Sequence, residues 1–275
     1  MSKVHLNIVI VIYNIQLAES NSYLLCKNLT NKNNITIWLI DNSDIPIGDP
    51  HIDNINYISM NGNKGLSKAY NAAISMINHN KENAIIFLDQ DTKINEDYFN
   101  IVKNILQDND NIYLLAPYVY DIKGLLSPCR MMFNHAYRIK EKPKESFLNI
   151  SLINSGLCVR ADVFERVTFN NNLFLDYIDH DFIMKFKKCY GYKKIALVDI
   201  SFCQEFSGSA IEPLLKKIKR FNIYKYDYIE YAKNNKLLLV IAVIRLIFRA
   251  LKLGIQYKTN KFILALLEMI NERRK

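Results

Sequence analysis

The stretch "FLDQDTKIN", residues 87–95, follows the apolar run Ala84-Ile85-Ile86 and places Asp89 and Asp91 where a hydrophobic strand ends. Charge is costly inside a sheet, but the carboxyl edge of a parallel sheet is a usual place for a ligand. Two carboxylates at this edge indicate a binding site for a hard cation and for an anionic ligand that the cation coordinates. Aspartate is also common where strands simply end. The stretch alone is therefore consistent with either a ligand site or a plain turn.

The segments around this stretch alternate between apolar strands and amphipathic helices. Strands are predicted at 6–12, 35–40, 55–59, 84–88, 112–116 and 195–199, and helices at 17–29, 65–78 and 97–107. This alternation predicts an α/β fold with a mostly parallel central sheet and helices on both faces. Residues 123–150 are expected to form a hairpin or a mobile loop, and residues 214–275 are expected to be helical.

Cysteine usage and the first residues indicate a reduced, cytosolic protein. The chain of 275 residues has five cysteines and no CxxC pair, which favours buried thiols over a disulfide framework or a zinc site. The first apolar run, 6–12, ends in Tyr-Asn and not in a small-residue cleavage site. We therefore interpret it as a strand and not as a signal peptide.

The net charge of +9 is unevenly distributed along the chain. Residues 213–275 hold 15 Lys/Arg against 4 Asp/Glu, whereas residues 1–212 hold 21 against 23. This division predicts a main domain at 1–212 and a basic, apolar helical extension at 213–275. The extension suits an anionic membrane surface or another subunit, and the main domain has no excess of positive charge for nucleic acid.

Polar clusters follow the first, second and fourth predicted strands. They are Tyr13-Asn14, Asp41-Asn42-Ser43 and Asp89-Gln90-Asp91. Because parallel strands bind ligands at their carboxyl ends, three clusters in register predict a nucleotide-type site. The glycine fingerprint of dinucleotide binding is missing after the first strand, which argues against a dehydrogenase.

Two further segments each have a structural and a functional interpretation. Asn63 and Gly65 precede the predicted helix that carries Asn71, and their composition favours a loop with a helix cap. The segment Asn154-Ser155-Gly156 opens into a strand. It suits either a plain turn or a turn that lies under a bound sugar.

The segment "DYIDHDF", residues 176–182, places Asp176, Asp179 and Asp181 around His180. Acidic residues are favoured at a helix start by the helix dipole. Three carboxylates in six residues exceed what capping requires, so one of them is a candidate general base. His180 fits a surface or partly buried histidine better than a metal ligand.

Taken in order, these motifs resemble those of family-2 glycosyltransferases, which are inverting enzymes with the GT-A fold. The matching segments are Ile10-Val11-Ile12-Tyr13-Asn14, Asp41-Asn42-Ser43, "NKGLSKAYNAAI" from Asn63, "FLDQD", "NSGLCVR" and "DYIDHDF". The forms of "FLDQD" and "DYIDHDF" are similar to those of the rhamnosyltransferase branch. The resemblance covers roughly residues 4–210 and does not obviously extend to the tail.

The resemblance implies a metal-dependent glycosyltransferase and assigns roles to individual residues. Asp91, assisted by Asp89, would hold Mg²⁺ or Mn²⁺, and Asp179 takes the general-base place with Asp181 as the alternative. The implied donor-binding residues are Tyr13, Asn14, Asp41, Asn63, Gly65, Asn71, Asp89 and Gln90. The implied acceptor-side residues are Asn154, Ser155, Gly156 and Asp176.

The implied donor is a UDP- or dTDP-sugar, because Asp41 could accept the N3–H of uracil or thymine. The resemblance favours dTDP-L-rhamnose. The implied acceptor is a saccharide or a lipid-linked glycan, in bacterial surface polysaccharide synthesis at the inner face of the cell membrane. Two alternatives remain open: a nucleotide-sugar-binding or pyrophosphorylase-like protein without glycosyl transfer, and a basic nucleic-acid-binding protein.

One departure from the family pattern concerns the metal. Many members carry a late His-x-x-Gly whose histidine helps to hold the cation, and here Glu205 stands three residues before Gly208. Glutamate can supply an oxygen ligand to Mg²⁺ or Mn²⁺. Alternatively, this ligand is absent and water takes its place.

The tail contains a long apolar segment, Leu237–Phe248, interrupted only by Arg245. Arg249, Lys252 and Gln256 continue from Arg245 along one face of the predicted helix. The apolar segment is shorter than the roughly 20 residues needed to span a bilayer, so it fits a helix lying in the membrane interface. The alternative is a helical pair packed on the catalytic domain or on a second subunit, as in a homodimer.

Overall fold

The computed structural model describes residues 4–29, 34–141, 143, 147–203 and 212–272. The strands are β1 (His5–Ile12), β2 (Ile35–Asp41), β3 (Ile55–Ser59), β4 (Asn83–Asp89), β5 (Leu114–Asp121), β6 (Gly124–Ser127), β7 (Cys129–Met132), β8 (His135–Arg138), β9 (Ile150–Ser151), β10 (Cys158–Arg160) and β11 (Ile195–Cys203). The α-helices are α1 (Asn21–Cys26), α2 (Leu66–Ile74), α3 (Glu96–Asp108), α4 (Ile178–Tyr190), α5 (Leu214–Ala232), α6 (Lys236–Tyr257) and α7 (Lys261–Glu272).

The central sheet is mostly parallel, which confirms the predicted fold class. Over the described residues its strand order is β11-β5-β10-β4-β1-β2-β3, with β6 added beside β5. The strands β3, β2, β1 and β4 run parallel to one another, as do β5 and β11, whereas β10 runs antiparallel between β4 and β5. Ile12 pairs with Asp41 and Val11 pairs with Asp89, so β1, β2 and β4 end at the same edge.

The sheet is covered by helices on both faces. Alternate residues of a strand point to opposite faces, and β1 accordingly sends Val9 and Val11 into one cluster and Ile8 and Ile10 into another. The first cluster includes buried residues of α2 and α4, and the second includes buried residues of α1 and α3. Strands buried on both faces are apolar throughout, which is why their positions could be predicted.

The region 123–150 contains a hairpin, as one of its two interpretations predicted. Strands β7 and β8 pair antiparallel, and β7 also pairs with β9. The hairpin turn contains Phe133 and Asn134 with φ of 48° and 54°. Two consecutive left-handed residues are typical of a type I′ turn, whose twist matches the flanking strands.

The predicted helix at 17–29 is divided in the structure. Short 3-10 turns at Leu17–Glu19 and Lys27–Leu29 flank α1. Ser20 caps α1, since its hydroxyl accepts a hydrogen bond of 3.2 Å from the Tyr23 backbone N–H. A cap inside the predicted segment begins a new helix, and the apolar spacing alone did not reveal it.

The predicted C-terminal helices are present as α5, α6 and α7, which share an apolar core. Helix α5 also packs against the start of α4, where the Tyr177 ring stacks on Tyr228 at 4.7 Å and on Tyr231 at 5.0 Å. Contacts therefore cross the boundary expected near residue 212. Among the described residues, none of the helices is both long and apolar enough to cross a membrane.

Candidate active site

Hydrogen bonds join the ends of β1, β2 and β4. The Tyr13 backbone N–H donates to Gln90 Oε1 at 2.8 Å, which connects β1 to β4. The Asn14 amide donates to Asp44 at 2.9 Å, and the Asp44 N–H donates back to Asn14 at 3.0 Å. The three polar clusters found in the sequence therefore lie together. Asp44 was not among the predicted residues, and its place just after the second cluster is the signal that could have found it.

Asp41 is fully buried and organises the turn after β2. Its carboxylate accepts hydrogen bonds from the Ser43 N–H at 3.0 Å, the Ile47 N–H at 2.7 Å and the Tyr57 hydroxyl at 2.8 Å. Burial acts to raise the pKa of Asp41, but these hydrogen bonds outweigh it and lower the pKa. In this geometry both carboxylate oxygens of Asp41 already accept hydrogen bonds from the protein. Contact between Asp41 and a nucleobase stays a prediction.

A pocket of about 270 Å³ opens beside this turn. Its lining combines amide, hydroxyl and carboxylate groups with apolar side chains; the residues are Asn14, Ile15, Gln16, Glu19, Ser43, Ile45 and Ile47. Polar groups form most of this lining, so the pocket suits a ligand with several hydrogen-bonding edges, and its three isoleucines offer an apolar surface to a flat ring.

Asn63 and Gly65 hold the loop before α2 against the strand ends. Asn63 Oδ1 accepts hydrogen bonds of 3.1 Å from the Asn42 amide and from the Gly65 N–H. Gly65 has a φ of +90°, and a Cβ built there would lie 2.8 Å from a ring carbon of Phe174. A larger residue at position 65 would therefore strain the backbone and collide with the segment before α4.

One turn connects the acidic pair after β4 to the start of α4. The Ser155 hydroxyl donates a hydrogen bond to the Asp89 carboxylate. Asn154 donates to both oxygens of Asp179, from its side-chain amide at 2.8 Å and from its backbone N–H at 3.3 Å. Gly156 has a φ of +78°, and a Cβ there would lie 2.5 Å from Phe202, so close packing requires glycine.

The environment of Asp179 keeps its carboxyl group near the point of half-ionisation at neutral pH. Burial raises the pKa of Asp179 to about 7, the negative charge of Asp89 adds to this, and the backbone hydrogen bond from Asn154 opposes it. Burial also raises the pKa of the adjacent Tyr70 hydroxyl, with contributions from the charges of Asp89 and Asp179. A carboxyl group with a pKa near 7 can take up a proton at physiological pH, which is the property of a general base.

Asp181, predicted as the alternative base, makes its contacts away from this turn, and its role as a base stays a prediction. Asp181 lies two residues after Asp179 on α4, and residues two apart in a helix point to different sides. Its carboxylate forms an ion pair of 2.7 Å with Lys185. Burial raises the pKa of Asp181, and the charge of Lys185 opposes this.

Two other predicted residues make contacts that support the surrounding segments. Asp176, predicted on the acceptor side, forms an ion pair with Arg220 of α5, with a contact of 2.7 Å. The Asn71 amide, predicted to bind the donor, donates to the Phe169 carbonyl at 2.9 Å and to Asn171 at 2.8 Å. Neither contact connects these side chains to the strand ends.

His180 is held as a neutral side chain. Its Nδ1 lies 2.8 Å from the Ser151 hydroxyl. Burial lowers the pKa of His180 to about 4, and the neighbouring His135 contributes. The histidine is therefore uncharged at pH 7 and connects α4 to β9, in keeping with its structural interpretation.

Asp227 of α5 fixes the segment before α4, a role that the sequence did not reveal. Its buried carboxylate accepts hydrogen bonds from three consecutive N–H groups: Phe174 at 2.8 Å, Leu175 at 2.8 Å and Asp176 at 2.7 Å. Asp227 is one of four acidic residues in the basic tail, and that scarcity is the signal that could have drawn attention to it.

Asp227→Ala is expected to lower the free energy of unfolding by about 2–4 kcal/mol, because three backbone N–H groups lose a charged partner. Urea unfolding measured by circular dichroism would test this. Asp227→Asn should cost less, since it keeps one acceptor oxygen and burial raises the pKa of this carboxyl. Glu268→Ala, at an exposed acid of α7, is the matched control. Equal stability of the Asp227→Ala and Glu268→Ala variants would contradict the assignment.

The acidic pair fits a hard divalent cation. Asp91 is exposed just beyond β4, and Asp89 is partly exposed at the end of the strand. Over the described part of the chain, no three His, Cys, Asp or Glu side chains cluster as a complete metal site. A cation at Asp91 would therefore complete its shell with phosphate oxygens and water, as Mg²⁺ commonly does. Glu205 lies outside the described residues; β11 ends at Cys203, which pairs with Lys93.

The comparisons identify the family. The model of glycosyl transferase family 2 matches residues 8–168, which is more than half of the chain, and the chain belongs to this family. It is 26% identical over 245 residues to the dTDP-rhamnosyl transferase RfbF of Shigella flexneri, covering 84% of this chain and 81% of that protein.

Solved structures agree on the fold. The chain resembles residues 1–349 of S. aureus TarS with a TM-score of 0.55 at 15% identity, over 98% of this chain and 83% of that one. It also resembles GalNAc-T7, crystallised with UDP, GalNAc and Mn²⁺, with a TM-score of 0.54 at 14% identity, over 98% of this chain and 57% of that one. The chain is thus a glycosyltransferase with the GT-A fold.

Proposed function

We propose that this glycosyltransferase moves L-rhamnose from dTDP-rhamnose to a saccharide or lipid-linked glycan with inversion at the anomeric carbon. The observation that carries the proposal is the turn Asn154-Ser155, which hydrogen-bonds Asp179 with one residue and Asp89 with the next. It sets a candidate base beside the acidic pair. The similarity to a dTDP-rhamnosyl transferase supports the choice of donor.

In this proposal, the joined ends of β1, β2 and β4 bind the donor. The nucleobase would occupy the pocket that Asn14 and Ser43 help to line, and the diphosphate would lie toward Asp89 and Asp91. Mg²⁺ or Mn²⁺ held by Asp91 and Asp89, with Glu205 as a further candidate ligand, would neutralise charge on the leaving diphosphate. The Asn63 loop keeps the strand ends in place around the donor.

Asp179 accepts the proton of the acceptor hydroxyl. As that O–H bond breaks, the hydroxyl oxygen forms a bond to the anomeric carbon on the face opposite the diphosphate. The bond from the anomeric carbon to the phosphate oxygen breaks, and its electron pair leaves with the nucleoside diphosphate. The two hydrogen bonds from Asn154 hold the Asp179 carboxylate in one orientation during this step.

The proposed setting is bacterial surface polysaccharide synthesis, with the enzyme in the cytoplasm at the inner face of the membrane. A protein that only binds a nucleotide sugar has no need of a proton acceptor, so that alternative gives no role to the Asp179 carboxyl group with its pKa of about 7. Nucleic-acid binding is disfavoured because residues 1–212 carry more acidic than basic residues.

The function is tested with the full chain and a panel of dTDP- and UDP-sugars, with and without Mn²⁺. We expect dTDP-rhamnose to raise the melting temperature most, because a ligand that binds the folded state stabilises it. We also expect slow Mn²⁺-dependent hydrolysis of this donor to a product of inverted anomeric configuration, detected by NMR. Binding of a nucleotide sugar with neither hydrolysis nor transfer would favour the binding-protein alternative.

The rate is expected to rise with pH through the pKa of Asp179. Its raised pKa of about 7 means that the carboxyl is mostly protonated below pH 7 and cannot accept a proton there. A cation that neutralises Asp89 would shift the rise to lower pH, since the Asp89 charge contributes to the raised pKa. The test is kcat/KM from about pH 5 to about pH 8. A rate independent of pH over this range would contradict the assignment.

A further inference from the structure

Helix α6 presents a continuous apolar surface to solvent. Apart from the adjacent pair Ile247 and Phe248, its exposed side chains recur at spacings of three and four residues on the side of the helix away from the α5–α7 core. Their exposed fractions lie between 43% and 80%. We call them the α6 stripe: Leu237, Val240, Ile244, Ile247, Phe248, Leu251 and Ile255. Helix α7 adds the exposed residues Ile263, Leu264 and Leu267.

The opposite face of α6 is buried against its own chain. Ala242, Leu246, Ala250 and Leu253 are buried in the core shared with α5 and α7. The α6 stripe is thus what remains after the helix has packed on its own chain. The helix has 22 residues, a length of about 33 Å. A solvent-exposed apolar stripe of this length marks an interaction site.

A row of cations borders the α6 stripe. Arg245, Arg249 and Lys252 lie on the next side of the helix, and α6 contains no acidic residue. The Arg245 guanidinium donates to the Tyr137 hydroxyl at 2.8 Å, and the Arg249 guanidinium lies 3.7 Å from the centre of the Tyr224 ring. These neutral partners orient the two arginines without cancelling their charge.

We propose that the α6 stripe docks on an anionic lipid surface with the helix lying parallel to the membrane. The apolar side chains enter the boundary between headgroups and acyl chains, and the bordering cations contact lipid phosphates. A second copy of the chain is a poorer occupant. Pairing two stripes would bring two basic tails together, and α6 offers no carboxylate to compensate them.

The contacts of Arg245 connect this surface to the acceptor side of the site. Tyr137 belongs to β8, which pairs with β7, and β7 pairs with β9 shortly before the turn at Asn154. A docked helix would therefore present the acceptor side near the membrane, where a lipid-linked glycan is found. This link to the acceptor rests on the proposed function, whereas the docking itself does not.

The test is co-sedimentation of the full chain with phosphatidylcholine vesicles, with and without phosphatidylglycerol, in the absence of donor and acceptor. We expect binding to the anionic vesicles at low salt and release at high salt. The triple variant Ile244→Ser/Phe248→Ser/Ile255→Ser should bind at least about ten-fold more weakly. The reason is that moving each of these apolar side chains out of water into the membrane lowers the free energy of the bound state. Lys252→Glu should weaken binding to anionic vesicles only.

The matched control is Met76→Ser/Ile52→Ser, which removes exposed apolar side chains from the catalytic domain and should bind vesicles like the wild type. Circular dichroism melting verifies that each variant is folded. The proposal is overturned if the full chain ignores anionic vesicles at low salt or if the triple variant binds unchanged. It is also overturned if the triple substitution splits a dimer of the wild-type chain. Since no sugar is present, these outcomes are independent of the transferase assay.

Discussion

Asp179→Asn is expected to lower kcat roughly 10²–10⁴-fold, the usual share of a general base, while donor affinity stays nearly unchanged. The amide has the same shape but cannot accept the acceptor's proton. Asn154, which donates to both Asp179 oxygens, would face one amide nitrogen and lose one of its two hydrogen bonds. Steady-state kinetics and donor titration by calorimetry would measure the two effects separately.

Asp181→Asn is the matched control for Asp179→Asn. It makes the same chemical change two residues further along α4, where the carboxylate pairs with Lys185. Its kcat should stay close to that of the wild type, although some loss of stability is expected. Asp179 would be excluded as the base if Asp181→Asn lost more kcat than Asp179→Asn. It would also be excluded if Asp179→Asn lost donor affinity but kept its kcat.

Asp91→Ala is expected to abolish transfer and to remove the metal dependence of nucleotide binding. Asp91 is exposed just beyond β4, beside Asp89, where a carboxylate can reach a cation shared with the diphosphate. Without that cation, the negative charge that develops on the leaving diphosphate would be poorly stabilised. Mn²⁺ titration of donor binding and of turnover is the measurement.

Asp53→Ala removes an exposed acid from the loop before β3 and serves as the control for Asp91→Ala. It should retain wild-type turnover and the wild-type Mn²⁺ dependence. Turnover and Mn²⁺ dependence that persist in the Asp91 variant would show that the cation, if one is used, is held elsewhere.

Much of the fold could be predicted because its strands are apolar on both faces. Buried parallel strands appear in a sequence as near-continuous apolar runs rich in Ile, Leu and Val. The predicted bounds of β1, β2 and β4 therefore lie within one residue of the observed ones. Their polar ends followed from the same pattern. The split of the helix at 17–29 could not be predicted from spacing, because the Ser20 cap is a local hydrogen bond with little effect on periodicity.

The sequence by itself determined the order of the strands and helices, the family, and the edge of the sheet where Asp89 and Asp91 lie. Only the tertiary structure decided which groups meet there. Ser155 reaches Asp89 across 66 residues of chain, and Asp227 reaches Phe174 across 53. It also separated Asp179 from Asp181, since the packing of α4 sets which side of the helix faces the turn. Contacts between distant segments depend on how the helices pack on the sheet, and local sequence patterns carry little information about that packing.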